Sequence, residues 1–172
     1  MKTGHHEHHQ YDPKHVSCFV LTVSDTRTPQ TDESGRTIIE HLKGEGHSIA
    51  GYTIVKDDAK KVIQTIQKAI KDASPDAIIA NGGTGISPRD FTYEAIDKIV
   101  EKKLPGFGEL FRHLSFGEIG PKAILSRATA GIILGKLVFS IPGSPAAVRL
   151  AMGKIILPIL PHAMGELLKQ VR

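Results

Sequence analysis

Residues 81–90, NGGTGISPRD, join a glycine turn to a carboxylate five positions beyond its last glycine. Gly82, Gly83 and Gly85 allow backbone conformations and close approaches that a Cβ would block. Successive N–H groups in such a turn form a concave nest for an anion. Thr84 adds a hydroxyl. A phosphate or carboxylate is therefore the natural guest. A helix starting near Thr92 adds its positive end if it points at the same spot. Neither common phosphate-loop pattern is present: no lysine follows the last glycine, and the spacing is not GxGxxG. A tight strand-to-helix turn without a ligand explains the glycines equally well.

Asp90 changes the chemistry. A carboxylate beside an anion nest repels the anion unless a cation lies between them. Mg²⁺, held through one or two carboxylates and substrate phosphates, resolves that conflict. Asp57 or Asp58, in KDD, supplies the second carboxylate from another strand end. Each of these aspartates also suits the N-cap of a following helix. No Ser-His-Asp or Cys-His arrangement is present, so no side-chain nucleophile is indicated.

These residues need elements to position them. VSCFVLTV, residues 16–23, is a nearly continuous apolar run, as for a strand buried on both faces. After the loop SDTRTPQTDESG, Asp32 or Ser34 caps a helix through about Leu42, ended by Gly44 and Gly46. HSIAGYTIV predicts a second strand. A helix follows it, with Val62, Ile63, Ile66, Ala69 and Ile70 on one face. PDAIIA predicts a third strand, closed by NGGTG. TYEAIDKIVEKKL predicts a helix ending near Pro105, and FGELFRHLSF a further short one. AGIILG and KLVFSI predict a hairpin through Gly135. Two helices finish the chain, the last interrupted at Pro158 and Pro161. Strand–helix alternation predicts an α/β fold, with helices on both faces of a mostly parallel, mixed sheet. Ligands in such folds sit beyond the carboxyl ends of the strands. That rule nominates SDTRT, KDD, NGGTG and PGSP.

The 172 residues fit one domain, 15–172, behind a flexible His-rich tail, 1–14. His5, His6, His8 and His9 in that tail read as a solvated segment rather than a metal site. The net charge of +4 suits an anionic small molecule. Nucleic acid is disfavoured, because aromatics are only 5% and no Lys/Arg stripe exists. No secretory segment and no membrane-length apolar run are expected. The single cysteine, Cys18, permits no internal disulfide, and a cytoplasmic setting is expected. Cys18, His113, His162, Met152 and Met164 read as structural. Arg89 and Arg149 read as solvated, interface or phosphate-facing arginines.

LTVSDTR…TDESG, IVKDD, NGGTGISPRDFTYEAI, PGFGELFRHLSFGEIG, LSRATAG and FSIPGSPAAV occur in this order. Over about residues 15–168 the chain thereby resembles the molybdenum cofactor biosynthesis proteins of the MoaB/Mog type. RHLSFGEIG is closest to the MoaB branch. The resemblance implies a three-layer α/β/α sandwich, molybdopterin as ligand, and a homotrimer or homohexamer. It implies transfer of AMP from MgATP to the terminal phosphate of molybdopterin, with pyrophosphate released. A non-catalytic molybdopterin-binding or carrier protein is the alternative, and an assembly role a third. By the same resemblance Gly82, Gly83, Thr84 and Gly85 hold a phosphate, and Asp57 and Asp90 are the functional aspartates and Mg²⁺ ligands. Asp58 is a possible substitute for Asp57. Ser24 and Asp25 line the first loop, Ser115 the pterin pocket, and Pro142, Gly143 and Ser144 the far end of the site. Asn81 departs from the threonine often found there.

Overall fold

The computed structural model describes residues 12–169. The strands are β1 (Ser17–Val23), β2 (Ser48–Val55), β3 (Ala77–Asn81), β4 (Lys102–Lys103), β5 (Thr129–Ile133) and β6 (Lys136–Ile141). The helices are α1 (Glu33–Gly44), α2 (Ala59–Ala73), α3 (Thr92–Ile99), α4 (Pro105–Ile119), α5 (Pro145–Ala151) and α6 (Leu157–Leu168). The six strands form one sheet in the order β2-β1-β3-β6-β5-β4. The first four run parallel, while β5 and β4 each run antiparallel to their neighbours.

Alternation along the central strands divides the core in two. Cys18, Val20, Ala77, Ile79, Leu137, Phe139 and Ile141 face α1, α4, α5 and α6. Leu21, Val23, Ile78, Ala80 and Val138 face α2 and α3. This is the period-two pattern of a sheet covered on both sides, and it makes the expected three layers. Burying each large side chain contributes roughly 1.5–3 kcal/mol. Cys18 is one of these packing residues, and its burial pushes the thiol up to about 12.

The hairpin turns at Leu134 and Gly135, both left-handed with φ 49° and 72°, the backbone of a tight two-residue hairpin. Three local expectations are corrected. The helix expected over residues 92–104 stops at Ile99, and Lys102–Lys103 becomes an edge strand on β5. Gly131 permits this, since a Cβ there would lie 2.5 Å from the Lys102 carbonyl oxygen. Pro105 opens α4 rather than closing α3, because the first helical turn needs no proline N–H. The short helix expected around FGELFRHLSF is thus a 15-residue one.

The third correction concerns the C-terminal helix, which runs continuously over Pro145–Leu168. A π-turn at Met152–Ile156 sends the Leu157 N–H to Met152 O. It shifts the ladder just before Pro158, which sits in the first turn of α6. The run is long and apolar enough to cross a membrane by length and composition. Here it packs in the core through Val148, Met152, Ile156 and Leu160. The four tail histidines lie outside the described residues, and Asp12 packs against Gly165 of α6.

Candidate functional site

The four parallel strands end on one edge, so the four loops meet there. Glycine is required where they touch. Gly82 has φ 98°, and a Cβ there would lie 2.2 Å from the Val23 carbonyl oxygen. A Cβ on Gly143 would lie 3.0 Å from the Gly82 Cα. Gly82 donates its N–H to Ile141 O at 3.0 Å, so it braces the turn instead of facing an anion. The N–H groups of Gly83, Thr84 and Gly85 make no hydrogen bond to another described residue. They are the nest's available donors.

Beside the nest lies a cavity of about 620 Å³, within the range of small-molecule sites. Ser24, Arg27, Gly82, Gly83, Thr84, Gly85, Asp90, Pro142, Gly143 and Ser144 line one part. Phe111, Ile119, Leu125 and Leu150 supply an apolar part, with Ser115, Glu118 and Ser126 among them. The lining suits a molecule with one anionic end and one apolar end. Asp25, Asp57 and Asp58 are not on its wall.

The aspartates divide by geometry. Asp58 caps α2, accepting from the Lys61 N–H at 3.0 Å. Asp57 instead accepts from the Phe91 N–H at 3.0 Å, at the start of α3. The positive end of that helix therefore meets a carboxylate of the protein. Asp25 accepts from the Asp57 N–H at 3.3 Å. Burial raises the Asp57 carboxyl above its ordinary range, and the nearby Asp90, Asp25 and Glu94 raise it further against the Phe91 hydrogen bond. Asp90 does not cap α3, whose N-cap is Phe91. It accepts from the Ser87 N–H at 2.8 Å, and its Oδ2 lies 2.7 Å from where a Gly85 Cβ would stand.

The ideal Cβ of Gly83 would lie 2.3 Å from Thr92 Oγ1 and 2.6 Å from Asp57 Oδ2. The buried Thr92 hydroxyl has no hydrogen-bond partner among the described residues. A carboxylate and an unpartnered hydroxyl thus crowd the second residue of the nest. Among the described residues no group of three or more His, Cys, Asp or Glu side chains forms a metal cluster. A cation here would take two carboxylates and complete its shell with ligand phosphates.

Sequence reasoning missed three parts of the site. Asp32 not only caps α1 through Gly35; it also accepts from Thr22 Oγ1 and Tyr52 Oη, each at 2.6 Å, and from Arg27 Nη1 at 3.0 Å. Burial alone would raise its carboxyl, but these four donors hold it below the ordinary range. Ser34, the other cap candidate, donates to Gly143 O at 2.7 Å. The second missed part is Asn81, buried, with Nδ2 donating to Leu21 O and Thr22 Oγ1. The third is Arg127, whose guanidinium meets Thr84 O, Asp90 O and Glu94. The clues were a polar residue closing an apolar strand, for Asn81, and an arginine between two predicted elements, for Arg127. Arg89 and Arg149 do not line the cavity, and Arg149 stands 3.9 Å from Glu33 on the surface.

Residues 19–162 match a family model described as "Probable molybdopterin binding domain". The chain is 52% identical over 164 residues to molybdenum cofactor biosynthesis protein B of Halalkalibacterium halodurans, covering 95% of this chain and 96% of that one. A crystal structure of molybdenum cofactor biosynthesis protein B superposes with TM-score 0.88 at 49% identity, over 91% of this chain and 98% of that one. The tungsten cofactor synthesizing protein MoaB from Pyrococcus furiosus superposes with TM-score 0.81 at 40% identity, over 90% and 98%.

Proposed function

We propose that this chain, which belongs to the MoaB/Mog family of molybdenum cofactor biosynthesis proteins, binds molybdopterin and transfers AMP to its terminal phosphate. The observation that carries the reading is one cavity joining three features. These are the nest, whose N–H groups at Gly83, Thr84 and Gly85 have no acceptor among the described residues, the Asp90 carboxylate beside it, and an apolar wall that suits a pterin ring.

The nucleophile in this reaction is already on the substrate. A phosphate oxygen of molybdopterin attacks the α-phosphorus of ATP. The new O–P bond forms as the bond to the β-phosphate bridging oxygen breaks, and pyrophosphate leaves with that electron pair. No side chain needs to become covalent. The protein supplies alignment and charge neutralisation, which dominate phosphoryl-type transfer. The nest N–H groups hold a phosphate, and Ser115 with the apolar wall orients the pterin. Asp57 and Asp90 would hold Mg²⁺, which when bound neutralises phosphate charge. Burial first, and then the nearby Asp90, Asp25 and Glu94, raise the Asp57 carboxyl, and a bound cation would offset both. Asp58, engaged in its own helix cap, is not assigned to the ion.

The reading also places the protein in the cytoplasm as a homotrimer or homohexamer. Leu110, Phe116 and Ile124 support self-association, since all three are exposed on α4 and the turn after it and none lines the cavity.

The test is ATP-dependent adenylylation of molybdopterin, with and without Mg²⁺, by wild type and Asp90→Asn. Metal-dependent product from wild type, abolished in the variant, is expected. Tight molybdopterin binding with no product from wild type would replace the enzyme with a carrier. Full activity in Asp90→Asn would remove the aspartate from the machinery.

A further inference from the structure

We infer that Arg127 is a positioning residue, fixing the nest and the Asp90 carboxylate in one frame so that phosphate and cation are held side by side. The inference rests on the proposed reading of the cavity. Arg127 stands two residues before β5. Its backbone N–H and its Nε both lie 3.3 Å from the Thr84 carbonyl oxygen. Nη2 donates to the Asp90 carbonyl oxygen at 3.0 Å, and Nη1 pairs with the Glu94 carboxylate on α3. The guanidinium carbon sits 5.1 Å from the centre of the Tyr93 ring. One planar fork therefore ties three places together: the nest, the aspartate and the helix that follows.

The segment between those ties has little packing of its own. Ile86 is 67% exposed, and Ser87, Pro88 and Arg89 are exposed. The Ser87 and Asp90 hydrogen bonds, N–H to Oδ2 and N–H to carbonyl, are internal to the segment. They shape the turn but do not anchor it. The external ties are Phe91 N–H to Asp57, Thr92 N–H to Gly83 O, and the two carbonyls that Arg127 holds. Arg127 acts through these groups rather than on a ligand, because Ser126 lines the cavity and Arg127 does not. A lysine has one compact ammonium and cannot make the forked contacts together.

The experiment compares wild type, Arg127→Met, Arg127→Lys and Glu94→Gln by hydrogen exchange over residues 84–91. Mn²⁺·ATP affinity is followed in parallel by electron paramagnetic resonance. Faster exchange in that segment is expected in both Arg127 variants, with β1 and β3 unchanged. Mn²⁺·ATP affinity should fall about 10–100-fold, as for other residues that orient ligands, with no rescue by lysine. Glu94→Gln, which removes only one pin of the guanidinium, should give a smaller change in the same direction. It also carries the test if the Arg127 variants do not fold. Wild-type exchange over 84–91 in the variants, or unchanged affinity, would overturn the assignment. If wild type itself binds no Mn²⁺·ATP, the reading of the cavity fails, and exchange alone then decides Arg127.

Discussion

Arg27 and Gly143 lie 116 positions apart, yet Arg27 Nη2 donates to the Gly143 carbonyl oxygen at 2.8 Å. The same oxygen accepts from Ser34 Oγ at 2.7 Å. Asp32 holds the arginine from its other side. The loop after β1 and the loop after β6 are therefore one polar unit, with the fully buried Asp32 at its centre.

Asp32→Ala leaves Thr22, Tyr52 and Arg27 without their shared acceptor. A loss of about 3 kcal/mol is expected, the lower end for breaking a buried pair, because Arg27 is partly exposed. Urea unfolding measures it. The pH dependence has a definite sign. A carboxyl depressed in the fold contributes stability that is fully present above its unfolded pKa of about 3.9 and is lost as pH falls through the folded value. Asp32→Asn should therefore flatten the acid limb of the stability curve. An unchanged acid limb would show that the four donors do not set this carboxyl.

Adjacent aspartates should separate cleanly. Asp58→Ala removes the α2 cap and should cost about 1 kcal/mol, with adenylylation nearly unchanged. Asp57→Asn should abolish activity yet raise the melting temperature by roughly 1–3 °C at neutral pH. The sign follows from the raised Asp57 carboxyl. Its stabilising contribution is present below the unfolded pKa and is lost as pH rises through the folded one, so at pH 7 the ionised group is a liability. Equal effects from the two substitutions in paired melts and assays would contradict this division.

Gly82→Ala places a Cβ against the Val23 carbonyl at a φ that L-residues rarely adopt, so a loss of more than about 3 kcal/mol is expected. Gly44→Ala, at the end of α1 with nothing within 4 Å of the new Cβ, should be neutral or stabilising by up to about 1 kcal/mol. Denaturant midpoints of the two variants, measured side by side, test whether crowding rather than glycine content matters.

The alternation of apolar runs and helical faces determined the α/β class, the first three strands and the hairpin, because period-two and period-3.6 burial are local properties of the chain. The rule that ligands lie beyond parallel strand ends pointed to the loops that carry Ser24, residues 82–85 and residues 142–144 of the cavity wall, but not to its apolar part on α4, and it also named KDD, which lies off the wall. Local sequence could not decide the helix–strand choice at Lys102–Lys103, which depends on room beside Gly131. Nor could it decide the path through Pro158, which depends on a π-turn five residues long. The same limit applies to the aspartates. Asp57 and Asp58 are equivalent in KDD, and only the approach of Phe91, 34 positions later, draws one to the nest and leaves the other on its helix. Arg27, Asp32 and Arg127 act through partners such as Gly143, Tyr52 and Thr84, whose proximity is created by the sheet order and recorded in no local pattern.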